Sequence, residues 1–294
     1  LLSAEYAPYV LQVATDPSTS AFATFTFAPA NLKDGPVKAR KIRYAPVTLS
    51  ELDGVRYLHF GTEWVQGAMR IARPQRIELE YVQRMMVWLL LRPSDELGEG
   101  HAVQLGLGAG AITRYCHGVL HMRTTAIELN DEVIGICRAY FRLETSARLK
   151  LIEADAGEWV ADAKNAASAD VLCVDLYDHD AASPVLDSDA FYADCHRVLK
   201  AGGAMTVNLF GRDASFERSA QRIAAAFGAD CVLSLRPTRE GNTVVVAWKG
   251  VAWPDAATLA ERAAHIEQTG QLPARKWLKM LRALPEGAVS VAAT

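Results

Sequence analysis

The sequence predicts an α/β protein built on a doubly wound, largely parallel sheet, with a smaller β-rich domain at its N-terminus. From residue 101 onward, short apolar strands alternate with segments of helical periodicity, which is typical of parallel strands joined by helices. A Gly-rich turn follows the first of these strands, and the second strand ends in an acidic residue, Glu128. The last two strands flank a turn at residues 240–242, which predicts an antiparallel hairpin at one edge of the sheet.

The composition is that of an ordinary globular protein, with 294 residues of which 50% are hydrophobic and 22% are charged. The net charge of −3 gives no sign of nucleic-acid binding, which usually requires a basic face, so no nucleic-acid partner is expected. The apolar run at residues 85–91 is much shorter than a membrane span, and no signal peptide is recognisable. Five well-separated cysteines without a C-x-x-C pair predict free thiols in a reducing compartment, and therefore a cytoplasmic protein.

Residues 1–75 are predicted to form the smaller domain and residues 76–294 the larger one. The smaller domain has alternating polar and apolar residues, which predict strands, and a hairpin turn at Asp53-Gly54. These strands are expected at residues 6–14, 21–27, 47–49, 57–60 and 64–71. The larger domain begins with a helix over residues 77–91, where apolar residues recur at helical spacing.

A nucleotide-binding unit is predicted at residues 101–131. Glycines in the turn at residues 106–110 allow close approach of a ligand because they carry no Cβ. Glu128 follows the turn at about the 20-residue interval of such units and is placed to accept hydrogen bonds from ribose hydroxyls. The dinucleotide-binding pattern has a third glycine, which would fall at position 111. Because residue 111 is Ala, an adenosyl group without pyrophosphate is favoured over NAD. The alternative is an ordinary strand-to-helix turn.

The remaining pattern continues this architecture to the end of the chain. Strands are expected at residues 149–153, 170–175, 204–209, 231–235 and 243–248, and helices at residues 112–120, 132–141, 158–165, 189–199, 216–227, 255–267 and 275–284. Glu128, Asp155 and Asp175 each follow a predicted strand. Because the carboxyl ends of parallel strands share one edge of the sheet, we expect one shared site there, in a methyltransferase-like (Rossmann-like) fold.

Residues 170–178, D-V-L-C-V-D-L-Y-D, resemble the D-x-x-x-x-D-x-x-D signature of spermidine synthases, the polyamine aminopropyltransferases. Other stretches resemble the Gly-rich loop, acidic strand ends, β-domain and Tyr-bearing helix of that family. They lie at residues 52–54, 65–66, 81–85, 106–111, 127–129, 153–156 and 189–199. The likeness covers about residues 44–250.

The resemblance implies transfer of an aminopropyl group from decarboxylated S-adenosylmethionine to a small di- or polyamine, by a homodimer joined through the β-domain and without a metal. It assigns catalysis to Asp175 and amine binding to Asp178, Tyr81 and Gln66. It assigns donor binding to Gly106, Gly108, Gly110, Glu128, Asp155 and Ala156.

Ala109 stands where the family's loop commonly has Asp between glycines. Such an Asp would pair with the donor's ammonium and repel the carboxylate of intact S-adenosylmethionine, so Ala109 predicts weaker discrimination between the two. Two alternatives therefore stay open: an S-adenosylmethionine-dependent methyltransferase, and a non-catalytic homologue that keeps the nucleotide pocket.

Overall fold

The computed structural model describes residues 9–15, 23–29, 44–144, 146–176, 186–210 and 214–284. The N-terminal part is a five-stranded antiparallel sheet in which each strand pairs with the next. Its strands are β1 (Tyr9–Thr15), β2 (Ala23–Pro29), β3 (Val47–Leu52), β4 (Val55–Phe60) and β5 (Gly67–Arg70). The predicted hairpin turn joins β3 to β4: Asp53 and Gly54 both have positive φ, as two-residue hairpin turns require.

The predicted helix at residues 77–91 is shorter and in two parts. α1 (Glu80–Met85) is followed by a 3₁₀ helix over Met86–Leu91, and nearly all of these apolar side chains are buried. A boundary between two domains near residue 75 falls between β5 and α1 and stays a prediction.

The second sheet has eight strands in the order β13-β11-β12-β10-β9-β6-β7-β8. They are β6 (His101–Leu105), β7 (Arg123–Glu128), β8 (Leu149–Glu153), β9 (Ala169–Val174), β10 (Leu199–Phe210), β11 (Val232–Leu235), β12 (Asn242–Trp248) and β13 (Leu281–Ala283). The neighbouring strands β10, β9, β6, β7 and β8 pair in parallel. The pairs β10–β12, β12–β11 and β11–β13 are antiparallel. The predicted fold class is confirmed.

Helices connect these strands and cover both faces of the sheet. They are α2 (Ala111–Arg114), α3 (Asp131–Tyr140), α4 (Ala156–Ala161), α5 (Asp189–Val198), α6 (Ala214–Phe227), α7 (Ala256–Gly270) and α8 (Ala274–Leu278). Side-chain oxygens of Asn130, Asp155, Ser188 and Asp255 accept a backbone N–H at the start of α3, α4, α5 and α7. Such caps satisfy donors that a helix leaves free, which explains where these helices begin.

Three further helix predictions differ from the structure. The helix expected at residues 275–284 ends at Leu278, and the chain turns there because Met280 N donates to Trp277 O. Residues 281–283 then pair with β11 as an edge strand, so that part of the prediction is wrong. The helix at residues 112–120 continues beyond Arg114 as a π helix, and the helix expected at residues 158–165 ends at Ala161.

An apolar cluster joins the two sheets. Val47, Leu49, Leu58 and Met69 of the first sheet pack with apolar residues of α3 and with the Gly-rich loop after β6. This packing places β5 directly against the loop, at the carboxyl edge of the parallel strands. Among the helices of the described ranges, none combines the length and apolar composition needed to cross a membrane.

Candidate active site

A cavity of about 1000 Å³ lies between the N-terminal sheet and the carboxyl ends of the parallel strands. Its walls contain most of the residues that the sequence singled out: Gln66, Tyr81, Gly106, Gly108, Glu128, Asp155, Ala156 and Asp175. Gly110 does not line it, and Asp178 lies outside the described residues. The structure thus brings the predicted residues together, whereas their individual roles stay predictions.

The Gly-rich loop needs its glycines for the protein's own packing. Gly106 and Gly108 have φ of +81° and +50°, in the region that disfavours a side chain. A Cβ on Gly106 would lie 2.2 Å from the carbonyl oxygen of Asp175. Gly110, with φ of +69°, begins α2 instead of facing the cavity. From the sequence, these glycines were assigned to close approach of a ligand alone. The close contact between Gly106 and the backbone at the end of β9 was not predicted.

Buried side chains hold the loop from behind. Gln104 donates to Gly106 O at 2.6 Å, and Cys137 donates to Gly108 O at 3.1 Å. Burial raises the pKa of Cys137 to about 12, so its thiol keeps the proton that it donates. These contacts turn loop carbonyls toward the protein interior. The sequence contained a signal for this contact that was not used: Gln104 is a polar residue in an otherwise apolar strand, and a buried polar side chain needs hydrogen-bond partners.

Ala109 does not face the large cavity. Its side chain is 2% exposed and packs under Gly67 of β5, and its carbonyl oxygen accepts a hydrogen bond from the buried Arg114. The N-terminal sheet occupies the space in front of residue 109, and the expected weaker discrimination between the two donors stays a prediction. Any selection against a donor carboxylate must come from other groups.

Gly67→Ala is expected to lower the free energy of unfolding by about 1–3 kcal/mol, as overpacking typically does. The added Cβ would lie 2.5 Å from the Ala109 Cβ and 2.6 Å from its backbone nitrogen. Chemical denaturation measures the change. Gly54→Ala in the same sheet is the control, since its Cβ meets no atom within 4 Å and only its positive φ opposes it. A Gly67→Ala protein as stable as wild type would show that sheet and loop are not packed this closely.

Glu128 is held by the backbone around it. One carboxylate oxygen accepts from Leu107 N at 2.8 Å and the other from Asn130 N at 3.0 Å. Burial raises the pKa of Glu128, and these backbone donors oppose that rise. Each oxygen keeps a further lone pair, so the carboxylate can also accept hydrogen bonds from a ligand in the cavity.

Asp155 lies farther along the same edge and begins α4. Its Oδ1 accepts from Glu158 N at 2.9 Å, and Asp155 and Ala156 both line the cavity. The capping role is sufficient reason for an Asp here. The predicted contact of these two residues with adenine is compatible with the cavity lining.

Asp175 lies between two hydrogen-bond donors. Tyr81 donates its hydroxyl to Oδ2 at 3.3 Å, and Asn208 donates its amide to Oδ1 at 2.9 Å. Asn242 in turn donates to Asn208 Oδ1 at 3.2 Å. Burial raises the pKa of Asp175, and the bonds from Asn208 and then Tyr81 partly offset it. Sequence reasoning found Tyr81 but missed Asn208 and Asn242.

Gln66 reaches the cavity from the loop before β5. Its backbone N donates to Leu58 O at 2.8 Å, which fixes the chain, but its side-chain Nε2 is buried and has no hydrogen-bond partner among the described residues. A buried donor without a partner costs free energy unless a ligand or water supplies an acceptor. The cavity wall therefore presents an unused donor.

The charged side chains that line the cavity are acidic. Among the described residues that line it, seven are carboxylates and none is Lys, Arg or His. Glu78 pairs with Arg70, and Glu80 pairs with Arg84 at 2.6 Å, so two of the seven are neutralised from outside. The seven are Glu63, Glu78, Glu80, Glu128, Asp155, Asp175 and Glu240. Such a lining favours a cationic ligand.

Comparison with known proteins agrees with this geometry. Residues 103–207 match the family model described as a methyltransferase domain. The polyamine aminopropyltransferase of Neisseria meningitidis serogroup A is 31% identical over 215 residues, which cover 72% of this chain and 80% of the relative.

Two solved structures share the fold. A probable spermidine synthase from Corynebacterium glutamicum has a TM-score of 0.62 at 19% identity, over 88% of this chain and all of that one. A spermidine synthase in complex with the transition state analogue AdoDATO has a TM-score of 0.51 at 17% identity, over 81% and 74% of the two chains. The resemblance inferred from the sequence is confirmed by the Neisseria relative: this chain belongs to the polyamine aminopropyltransferase family, whose members transfer alkyl groups other than methyl.

Proposed function

We propose that this chain transfers an aminopropyl group from decarboxylated S-adenosylmethionine to a diamine or polyamine. The observation that carries the proposal is the cavity lining of seven carboxylates without a cationic side chain among the described residues. Both substrates are cations, since the donor has a sulfonium and an ammonium and the acceptor has at least two amines. Complementary charge lowers the free energy of binding for both and repels anionic ligands.

The donor fits the side of the cavity made by the Gly-rich loop and the ends of β7 and β8. Methyltransferase-type sheets and the AdoDATO complex support an S-adenosylmethionine-like ligand. Glu128 would accept hydrogen bonds from the ribose hydroxyls, and Asp155 with Ala156 would contact the adenine edge. Gln66 Nε2 would donate to an acceptor on the same ligand, which removes the cost of its unpaired amide.

The acceptor amine fits beside Asp175 and Tyr81. Its nitrogen attacks the carbon next to the sulfonium, the C–N bond forms as the C–S bond breaks, and the sulfur keeps the bonding electron pair to give methylthioadenosine. An alkylamine resembles Lys, with a pKa near 10.4, so it must lose a proton to attack. The Asp175 carboxylate accepts that proton, and Tyr81 and Asn208 hold the carboxylate in place.

Decarboxylated S-adenosylmethionine is expected to bind at least tenfold more tightly than the intact form. The intact donor carries a carboxylate that would lie among like charges without a cationic side chain to pair with it, and a lost charge-assisted hydrogen bond costs about 1.5–3 kcal/mol. Competition calorimetry with methylthioadenosine as the displaced ligand measures both affinities.

Tighter binding of the intact form would favour the methyltransferase alternative, and binding of neither would favour a non-catalytic homologue. The reaction itself is tested by mass spectrometry after incubation of the chain with the decarboxylated donor and 1,4-diaminobutane. Methylthioadenosine and the extended amine should form in equal amounts. Donor binding without either product would contradict the proposal.

The homodimer and the cytoplasmic location also belong to this proposal. The homodimer is proposed from the family resemblance. The cytoplasmic location is proposed from the five cysteines, none of which forms a disulfide bond in the structure.

A further inference from the structure

A line of side-chain hydrogen bonds runs from the β11–β12 turn to Asp175. Asn242 Nδ2 donates to Asn208 Oδ1 at 3.2 Å, and Asn208 Nδ2 donates to Asp175 Oδ1 at 2.9 Å. Two hydrogen bonds to Thr238 hold the backbone of Asn242. Thr238 N donates to Asn242 O at 2.8 Å, and Asn242 N donates to Thr238 Oγ1 at 3.2 Å. The line therefore begins at a rigid point.

The direction of this line is not arbitrary. An Asn amide has one acceptor end and one donor end, and turning it exchanges them. Because Asn242 occupies the oxygen of Asn208, the nitrogen of Asn208 must face the carboxylate of Asp175. The opposite orientation would place two oxygens against each other. Asn208 is 4% exposed, so bulk water does not compete for either end.

The surroundings of Asp175 make this orientation consequential. Tyr81 of α1 donates to the other carboxylate oxygen, the Cys173 thiol precedes it on β9, and the carboxylates Glu80 and Glu240 line the same cavity. Burial favours the protonated form of Asp175, and the two donors favour the ionised form. The amide of Asn208 therefore helps to keep Asp175 ionised.

We propose that Asn208 and Asn242 are positioning residues for the reaction put forward above, on which this inference rests: Asn242 orients the amide of Asn208 so that it donates to Asp175 and keeps the carboxylate ready to accept the amine proton. A residue of the antiparallel strand β12 thereby acts on a group at the end of the parallel strand β9. Neither Asn needs to touch a substrate for this role.

Asn242→Asp and Asn242→Ala test the proposal together. In both variants Asn208 Oδ1 loses the hydrogen bond from Asn242, so the amide can turn and accept a hydrogen bond from protonated Asp175, which stabilises the protonated form. The acid limb of the kcat/KM profile should move up by about one pH unit, because protonated Asp175 cannot accept a proton. Well above the limb, kcat/KM should approach the wild-type value. Asn165→Asp is the matched control: Asn165 donates to Trp159 O at 2.8 Å outside the cavity lining, and the limb should stay in place.

A merely structural role would lower kcat/KM equally at every pH, and that result would overturn the proposal. A shift in the Asp variant alone would assign the effect to its added charge and would also overturn it. The ionisation of Asp175 is measured independently of turnover by ¹³C titration of labelled aspartate carboxyls in the same proteins. The same upward shift is expected there. If wild type forms no product, the proposed function fails, and the titration still decides the role of Asn242.

Discussion

Asp175→Asn is expected to lower the turnover number about 10²–10⁴-fold, the usual contribution of a general base. An amide has nearly the same shape as a carboxylate but cannot accept the amine proton. Its oxygen can still accept from Asn208, and the Tyr81 hydroxyl can turn to accept from the new amide nitrogen. Steady-state kinetics with the decarboxylated donor and a diamine measure the loss, and calorimetry should find the affinity for methylthioadenosine unchanged.

The same variant should be at least as stable as wild type at neutral pH. Burial raises the pKa of Asp175 in the folded protein, so the folded state binds a proton more readily than the unfolded chain does. An ionised Asp175 therefore lowers the free energy of unfolding above its folded-state pKa, and this cost disappears as pH falls below its unfolded-state pKa. Asp175→Asn removes the cost, and any gain in melting temperature should shrink in acid.

Asp170→Asn is the matched control, since Asp170 lies near the other end of the same strand. Its carboxylate accepts from His101 N and from Lys200 Nζ, both at 2.7 Å, and it does not line the cavity. We expect the opposite pattern: a lower melting temperature with turnover retained. Wild-type turnover in Asp175→Asn would reject the proton-accepting role. Lost donor affinity together with a lower melting temperature would indicate a structural Asp instead.

Much of the fold could be predicted from local pattern, because alternating strands and helices restrict the possible topologies. The error at residues 275–284 has a different origin. Helical periodicity over so short a stretch does not exclude a strand, and pairing of β13 with β11 is a long-range contact. The tight 3₁₀ helix over Met86–Leu91 also depends on burial in the core, which the sequence pattern does not specify.

The acidic half of the candidate site could be predicted because parallel strands end at one edge of a sheet. Glu128, Asp155 and Asp175 meet in the cavity for that reason. Asn208 and Asn242 could not be found in this way. They lie on antiparallel neighbours, β10 and β12, and their roles depend on the register of that pair and on buried hydrogen bonds. The covering of Ala109 by Gly67 is likewise a contact between distant parts of the chain, β5 and the Gly-rich loop.

Glu128→Gln is expected to weaken the binding of methylthioadenosine about 10–100-fold. A charge-assisted hydrogen bond is worth about 1.5–3 kcal/mol, and the carboxylate is the group placed to bind the ribose hydroxyls. The substitution has a second effect, because Leu107 N and Asn130 N each donate to one carboxylate oxygen. The amide nitrogen of Gln would face one of these donors, so the variant should also unfold at a lower temperature.

Affinity loss alone therefore does not separate ribose binding from loosening of the Gly-rich loop. A second ligand, the 2′,3′-dideoxy analogue of methylthioadenosine, makes the distinction. Wild type should bind the analogue more weakly than methylthioadenosine, whereas Glu128→Gln should bind both ligands with similar affinity, since the hydroxyls have lost their partner. This is a double-mutant cycle with one change in the protein and one in the ligand. If the two ligands differ as much in the variant as in wild type, Glu128 does not bind the ribose. The loss of affinity would then come from the hydrogen bonds of Glu128 with Leu107 and Asn130, which hold the Gly-rich loop against the end of β7.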